Sequence, residues 1–228
     1  MKFSNGIAAF FNWCLNELLP PIIRDNKYIF SPIYYILFKE KYKYFLEFRD
    51  NFFNFSEKEI TDYYRVTEDC DLKAKSDTSD EVLRELQSLI IGNNVLDVGC
   101  GSGIISEYVD GKIDYLCCDI ARCFKKKYKF CYCTANNLSF KDKRISTIVC
   151  SHVLEHLINP IDAIKEFRRV ASERIIIILP RERPYKFGFN LHTHFFPYRY
   201  NIELLLKSEN KYEIKKIKNE WIYIEDLA

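Results

Sequence analysis

From residue 94 onward, short apolar runs alternate with stretches of helical periodicity. NVLDVG (94–99), IDYLCCDI (113–120), KFCYCTA (129–135), STIVCS (146–151) and RIIIILP (174–180) read as strands. SGIISEYVD (102–110) and PIDAIKEFRRVA (160–171) read as helices between them. Strands this continuously apolar must be covered on both faces, which is the condition of a parallel sheet with helices on either side. Ahead of the first strand, Thr78 and Glu81 have the spacing of a capping box and open a helix DEVLRELQSLI. At the other end YEIKKIKNE (212–220) and WIYIED (221–226) alternate in polarity and suit a hairpin closing one sheet edge. The expectation is an α/β fold: a doubly wound, mostly parallel, seven-stranded Rossmann-like sheet over residues 78–228.

Residues 1–77 have a different character. Ile7, Phe10, Phe11, Cys14, Leu15, Leu18 and Leu19 recur three or four apart and share one helix face, which Pro20 and Pro21 terminate. IYYILFKEKYKYFLEF (33–48) reads as a second, aromatic helix. This part is expected to be a helical cap on the sheet domain, or a lid over a substrate. The same aromatic segment could mediate a homodimer or touch a membrane surface.

The 228 residues suffice for one full core and a smaller appendage, and a hydrophobic content of 48% excludes a disordered chain. A net charge of +2 implies no broad phosphate-binding field, so nucleic acid is not an expected partner. Asn12, Asn16 and Glu17 interrupt the first apolar run, so neither a signal peptide nor a transmembrane segment is expected. None of the nine cysteines is spaced Cys-x-x-Cys. Cys117, Cys118, Cys131, Cys133 and Cys150 sit in apolar runs, as free buried thiols do in a reducing compartment. A cytoplasmic location follows as the expectation.

Functional information concentrates in VLDVGCGSG (95–103). The loop leaves the first strand at its carboxyl end, where doubly wound sheets hold their ligands. Glycine there allows a sharp turn and lets a ligand approach the backbone. The dinucleotide fingerprint Gly-x-Gly-x-x-Gly would need a third glycine where Ile104 stands; the pattern here is Gly99, Gly101, Gly103. Asp97, two residues before the first glycine, would repel a pyrophosphate and attract an ammonium group. Asp119, ending the second strand about 20 residues on, is placed to accept ribose hydroxyl protons.

These residues resemble the class I S-adenosylmethionine-dependent methyltransferases over Thr78 to the C-terminus. VLDVGCGSG is similar to that family's first motif, Asp119 to its second-strand acid, and SHVLEHLINP (151–160) to the segment after its fourth strand. FRRV (167–170) resembles the end of the helix that follows. The resemblance implies S-adenosyl-L-methionine as cofactor. It places Gly99, Cys100, Gly101 and Gly103 along the methionine and ribose portions, and Asp97 near the amino group. Asp119 would hold the ribose, Ile120 would lie against the adenine, and Ser151 would border the cofactor. The chain departs from the family in CTANNLSF (133–140), where Thr134 stands at the usual acid; Ala135 and Asn136 would share adenine recognition with it.

Methyl transfer to a hydroxyl benefits from a base, a role suited to histidine. All four histidines lie in the second part of the chain. His152 follows the fourth strand; His192 and His194 follow the fifth and, as alternate residues, could share a face. These three are the candidate catalytic residues, whereas His156 is expected to pack structurally. His-x-His with Glu155 could in principle ligate a metal. No close spacing joins the two segments, and no metal is expected. Arg181 and Arg183 in PRERPYKF (180–187) are candidate contacts for an anionic acceptor. The expected activity is methylation of a small-molecule oxygen, on a sugar or a phosphorylated precursor of surface polysaccharide. The alternatives are a nicotinamide-dependent oxidoreductase and an inactive cofactor-binding partner subunit.

Overall fold

The computed structural model describes residues 13–56, 58–60, 62–63, 77–120, 128–188 and 190–227. They form two compact units. One combines Met1–Ala74 with Arg183–Thr193; the other combines Lys75–Glu182 with His194–Ala228. The stretch Arg183–Thr193, which the sequence alone joins to the sheet, thus belongs with the helices.

The sheet unit has seven strands: β1 (Asn94–Val98), β2 (Asp114–Asp119), β3 (Lys129–Tyr132), β4 (Ile145–Ser151), β5 (Ala171–Pro180), β6 (Lys211–Ile217) and β7 (Glu220–Asp226). Their order across the sheet is β3-β2-β1-β4-β5-β7-β6. β1 to β5 run parallel, and β7 pairs antiparallel with both β5 and β6. The hairpin expected at the C-terminus is present, with its second strand inserted beside β5. The buried strand residues split by alternation. Val95, Val149, Ile176 and Ile178 face one layer, where they meet Val82, Leu83, Leu86 and Leu89 of a helix Asp80–Leu89. Leu96, Val98, Ile148, Cys150, Ile175 and Ile177 face the other, where they meet Ala163, Ile164, Phe167 and Val170 of a helix Pro160–Val170. Each helix presents its apolar residues three and four apart, so one stripe is buried and the charged remainder stays wet. Asn159 caps the second helix by accepting from the Ile161 amide, and Pro160 occupies its first turn.

Two local expectations differ from what forms. The Thr78–Glu81 capping box does not close. The Thr78 hydroxyl lies 2.7 Å from that of Ser151, Glu81 pairs with Lys218, and the helix starts at Asp80 with Ser79 as an N-cap that makes no side-chain capping bond. Tertiary partners have taken both groups of the box. SGIISEYVD forms only a single 3-10 turn, Ile104–Glu107. Gly103 is left-handed, the Ser106 hydroxyl donates to the Gly103 carbonyl, and two β-branched residues fill the short stretch, so a longer helix has no support.

In the helical unit, the expected Ile33–Phe48 helix is two helices, Lys27–Phe38 and Tyr42–Asn51. The break lies at Lys39, with φ +50°, and a 3-10 turn Lys39–Lys41. Folding back lets Phe38 stack on Phe45, with ring centroids 4.0 Å apart. Of the proposed first helix, Met1–Asn12 lie outside the described residues; Cys14–Leu18 form one π-helical turn and Pro20 is extended, so the chain does stop there. Arg49 ties the loop into this unit. Its guanidinium donates to the carbonyls of Lys186, Asn190 and His192 and lies over the Tyr185 ring. Buried Tyr34 donates to the Gly188 carbonyl at 2.6 Å. Among the described residues no helix is long and apolar enough to cross a membrane.

Candidate active site

At the carboxyl end of β1 all three glycines have left-handed backbones: φ is +72° at Gly99, +48° at Gly101 and +73° at Gly103. L-residues adopt this region at a cost, which is why glycine stands at each. The surroundings separate their roles. A Cβ on Gly99 would lie 2.3 Å from Val153 Cγ2, and one on Gly103 would lie 2.9 Å from the Tyr128 ring. A Cβ on Gly101 would meet nothing within 4 Å among the described residues. Gly99 and Gly103 are therefore packed against the protein, while the middle glycine faces open space. The loop is fixed from below, since the Gly99 and Cys100 amides both donate to the Cys118 carbonyl.

Asp119, at the end of β2, accepts from the Gly101 amide through Oδ2 at 2.9 Å. Its carboxylate thus sits beside the open glycine. Ile120, next in the chain, is 48% exposed, an apolar side chain left uncovered at the sheet's edge of action. Beyond β3, Thr134 bridges to Asn137 and Ala135 is buried. The Asn136 Oδ1 is buried with no hydrogen-bond partner among the described residues. A buried acceptor without a donor costs about 1–3 kcal/mol, so the atom is poised for an incoming N–H. Ser151, ending β4, is engaged with Thr78.

Asp97 is almost entirely buried, with the Tyr115 hydroxyl donating to its Oδ2 at 2.6 Å. Burial pushes its pKa up, Tyr115 opposes the rise, and Asp119 adds to it, leaving a value of about 7. A carboxyl in that state changes charge readily when a cation arrives. The Cys100 thiol is buried against Cys117, and its pKa is pushed well up, first by the hydrogen bond to Cys117 and then by burial. It is not a reactive nucleophile.

The histidines differ. His152 follows β4 with φ +54°. Its Nε2 lies 3.0 Å from Glu220 Oε1 and its Nδ1 3.3 Å from Glu155 Oε1. Burial alone would lower its pKa; the hydrogen bonds and charges of Glu155 and Glu220 outweigh this and raise it to about 10. At neutral pH it is an imidazolium clamped by two acids, and a proton acceptor it is not. His194, in the same unit, points Nε2 at the Leu157 carbonyl at 2.9 Å, so Nε2 carries the hydrogen and Nδ1 the lone pair. Burial lowers its pKa, and it is neutral. In the helical unit, His192 Nδ1 accepts from the Asn190 amide at 3.0 Å. Arg181 donates its backbone amide to Asn219 within the sheet unit. Arg183 belongs to the helical unit, where its amide donates to Asn16 and its guanidinium lies 3.9 Å from Glu17. The two arginines and the two alternate histidines, taken together from sequence, are thus divided between the units.

Sequence reasoning missed three supports of this site, Tyr115, Tyr128 and Glu220, and weighed Glu155 only as a metal ligand. One was within reach. Val95 pairs with Tyr115 and Asp97 with Cys117, so strand alternation puts the Tyr115 and Asp97 side chains on one face.

Residues 96–179 match the family model described as a methyltransferase domain. An uncharacterized protein of Methanocaldococcus jannaschii is 28% identical over 142 residues, which are 55% of this chain and 63% of that protein. The chain therefore spans somewhat under two thirds of that curated relative. A S-adenosylmethionine-dependent methyltransferase from Aquifex aeolicus has a similar structure, with a TM-score of 0.52 and 16% identity, covering 76% of this chain and all of that one. A candidate methyltransferase of an antibiotic biosynthesis pathway from Anabaena variabilis gives 0.50 and 16%, covering 61% of this chain and 65% of that one.

Proposed function

We propose that this chain, whose residues 96–179 match a methyltransferase domain, is a class I S-adenosylmethionine-dependent methyltransferase that methylates an oxygen of a small-molecule acceptor. The observation that carries this reading is the open space at Gly101 with the Asp119 carboxylate held against that glycine's amide. The donor set fits the cofactor group by group. Asp119 suits the ribose hydroxyls, the unpartnered Asn136 Oδ1 suits the adenine amino group, and exposed Ile120 suits the ring face. Asp97 suits the methionine ammonium.

When bound, the cofactor supplies an electrophilic methyl group on a sulfonium with a good leaving group. The chain's own task is mainly alignment of the acceptor and exclusion of water. His194, neutral and oriented by the Leu157 carbonyl, is the residue assigned to take the acceptor's proton at Nδ1. His152, locked between Glu155 and Glu220, positions the segment after β4. Arg181 favours an acceptor carrying phosphate or carboxylate, and a phosphorylated sugar precursor is the case we propose.

A screen with isotopically labelled methyl donor against phosphorylated sugars, nucleotide sugars and lipids tests the reading. Label should enter an oxygen of an anionic sugar. Tight nicotinamide dinucleotide binding without S-adenosylhomocysteine binding would overturn the cofactor assignment. Turnover confined to neutral lipids would overturn the acceptor class.

A further inference from the structure

Three cysteines converge next to the cofactor residues without taking part in the site described above. Cys118 and Cys131 are directly paired across β2 and β3, and Cys133 lies two residues beyond Cys131. Directly paired residues of parallel strands share a face, as do residues two apart, so all three thiols come together on one side of the sheet. Their sulfur atoms all lie within 4.8 Å of one another. Cys118 is buried, whereas Cys131 and Cys133 are half-buried, so the cluster has a dry floor and a route from solvent. All three are free thiols.

Packing alone does not require this. Valine or alanine would fill the positions, and three adjacent sulfurs place three acidic groups together. On binding, a metal replaces the thiol protons and takes the sulfurs as thiolates. Three sulfurs each about 2.3 Å from one ion stand ~3.8 Å apart in tetrahedral geometry and ~4.0 Å apart in trigonal geometry, within the span this cluster offers.

We propose that Cys118, Cys131 and Cys133 form a three-thiolate site for a single thiophilic d10 metal ion, zinc(II) or copper(I). Zinc would complete its shell with a water on the exposed side; copper(I) would be satisfied by the three sulfurs. Binding releases the thiol protons to solvent and involves no change of oxidation state. Cys118 precedes Asp119 and Cys133 precedes Thr134, so an ion here ties the ends of β2 and β3 together behind the ribose and adenine residues.

The test uses the full chain, reduced and stripped of metal. Zinc is titrated against a chromophoric chelator, and copper(I) anaerobically against bicinchoninate. One equivalent of one of the two ions should bind, and X-ray absorption should show three sulfur scatterers. Cys131→Ser and Cys133→Ser, at half-buried positions, should weaken binding roughly 100-fold or more, while Cys14→Ser should leave it unchanged. In the unaltered protein the bound ion should protect Cys131 and Cys133 from alkylation, which needs no variant to fold. Failure of both ions to bind stoichiometrically, binding undiminished in both serine variants, or alkylation unaffected by metal would each overturn the proposal. Cofactor affinity of the metal-free chain is measured in parallel, so a failed metal site is distinguishable from a failed cofactor site.

Discussion

The Tyr115 hydroxyl donates to Asp97 at 2.6 Å, and this one bond holds a nearly fully buried carboxyl at the root of the glycine loop. Burial raises the Asp97 pKa and the Tyr115 bond opposes the rise, leaving a value of about 7 instead of the ordinary aspartate value.

The consequence is a pH-dependent cofactor affinity. Below about pH 7 Asp97 is protonated and cannot pair with an ammonium; above it, the carboxylate can. S-adenosylhomocysteine should bind more tightly between pH 6 and 8, with proton release at the lower end, as calorimetry in buffers of different ionisation enthalpy would read. Asp97→Asn should flatten this profile. Stability runs the opposite way. A folded pKa above the unfolded one favours the native state below about pH 4, and that contribution is lost as pH rises through about 7.

Gly99→Ala and Gly101→Ala should fail for different reasons. Alanine at 99 puts a methyl into Val153 and should lower the melting temperature and the soluble yield. Alanine at 101 meets no atom of the described residues, so the chain should fold with only the backbone penalty of about 1 kcal/mol, and lose cofactor affinity because the methyl fills the ligand's approach. Equal melting temperatures for the two variants would contradict this division.

His152 and His194 should separate stability from turnover. His152→Ala leaves Glu155 and Glu220 facing each other across a dry site and should destabilise the fold by about 3–5 kcal/mol. The wild-type contribution is complete below the unfolded histidine pKa near 6.5 and disappears as pH rises through about 10. His194→Ala should keep the melting temperature within a few degrees while kcat falls ~100-fold or more. A His194→Ala enzyme with full kcat would remove the base from the mechanism.

Asn136→Ala should weaken cofactor binding by about 1–2 kcal/mol, close to tenfold, and affect the free protein little, because its Oδ1 has no partner to lose among the described residues. Thr134→Asp, which restores an acid at this position, should tighten binding if the adenine amino group lies there. Isothermal titration with S-adenosylhomocysteine reads both.

Much of the fold was legible along the chain. The run Ile175–Leu179 is apolar without a break, and Val95–Val98 and Ile145–Cys150 are mostly apolar; strands buried on both faces carry such runs. Where the reading went astray, a tertiary partner had changed a local preference. Thr78 and Glu81 meet Ser151 and Lys218 instead of each other. The lysines of Lys39–Lys41 sit in helical periodicity, yet the Phe38–Phe45 stack folds the chain back there.

What local order along the chain determines here is the alternation of strand and helix and the position of a ligand loop, because both follow from backbone geometry and periodic burial. It also settles that an acid precedes the loop. Charge states were decided only by the tertiary structure. Glu220 lies 68 residues from His152, and Tyr115 lies 18 from Asp97. A proton's affinity for a site depends on burial and on which groups stand within a few ångströms, and the folded arrangement alone brings them there.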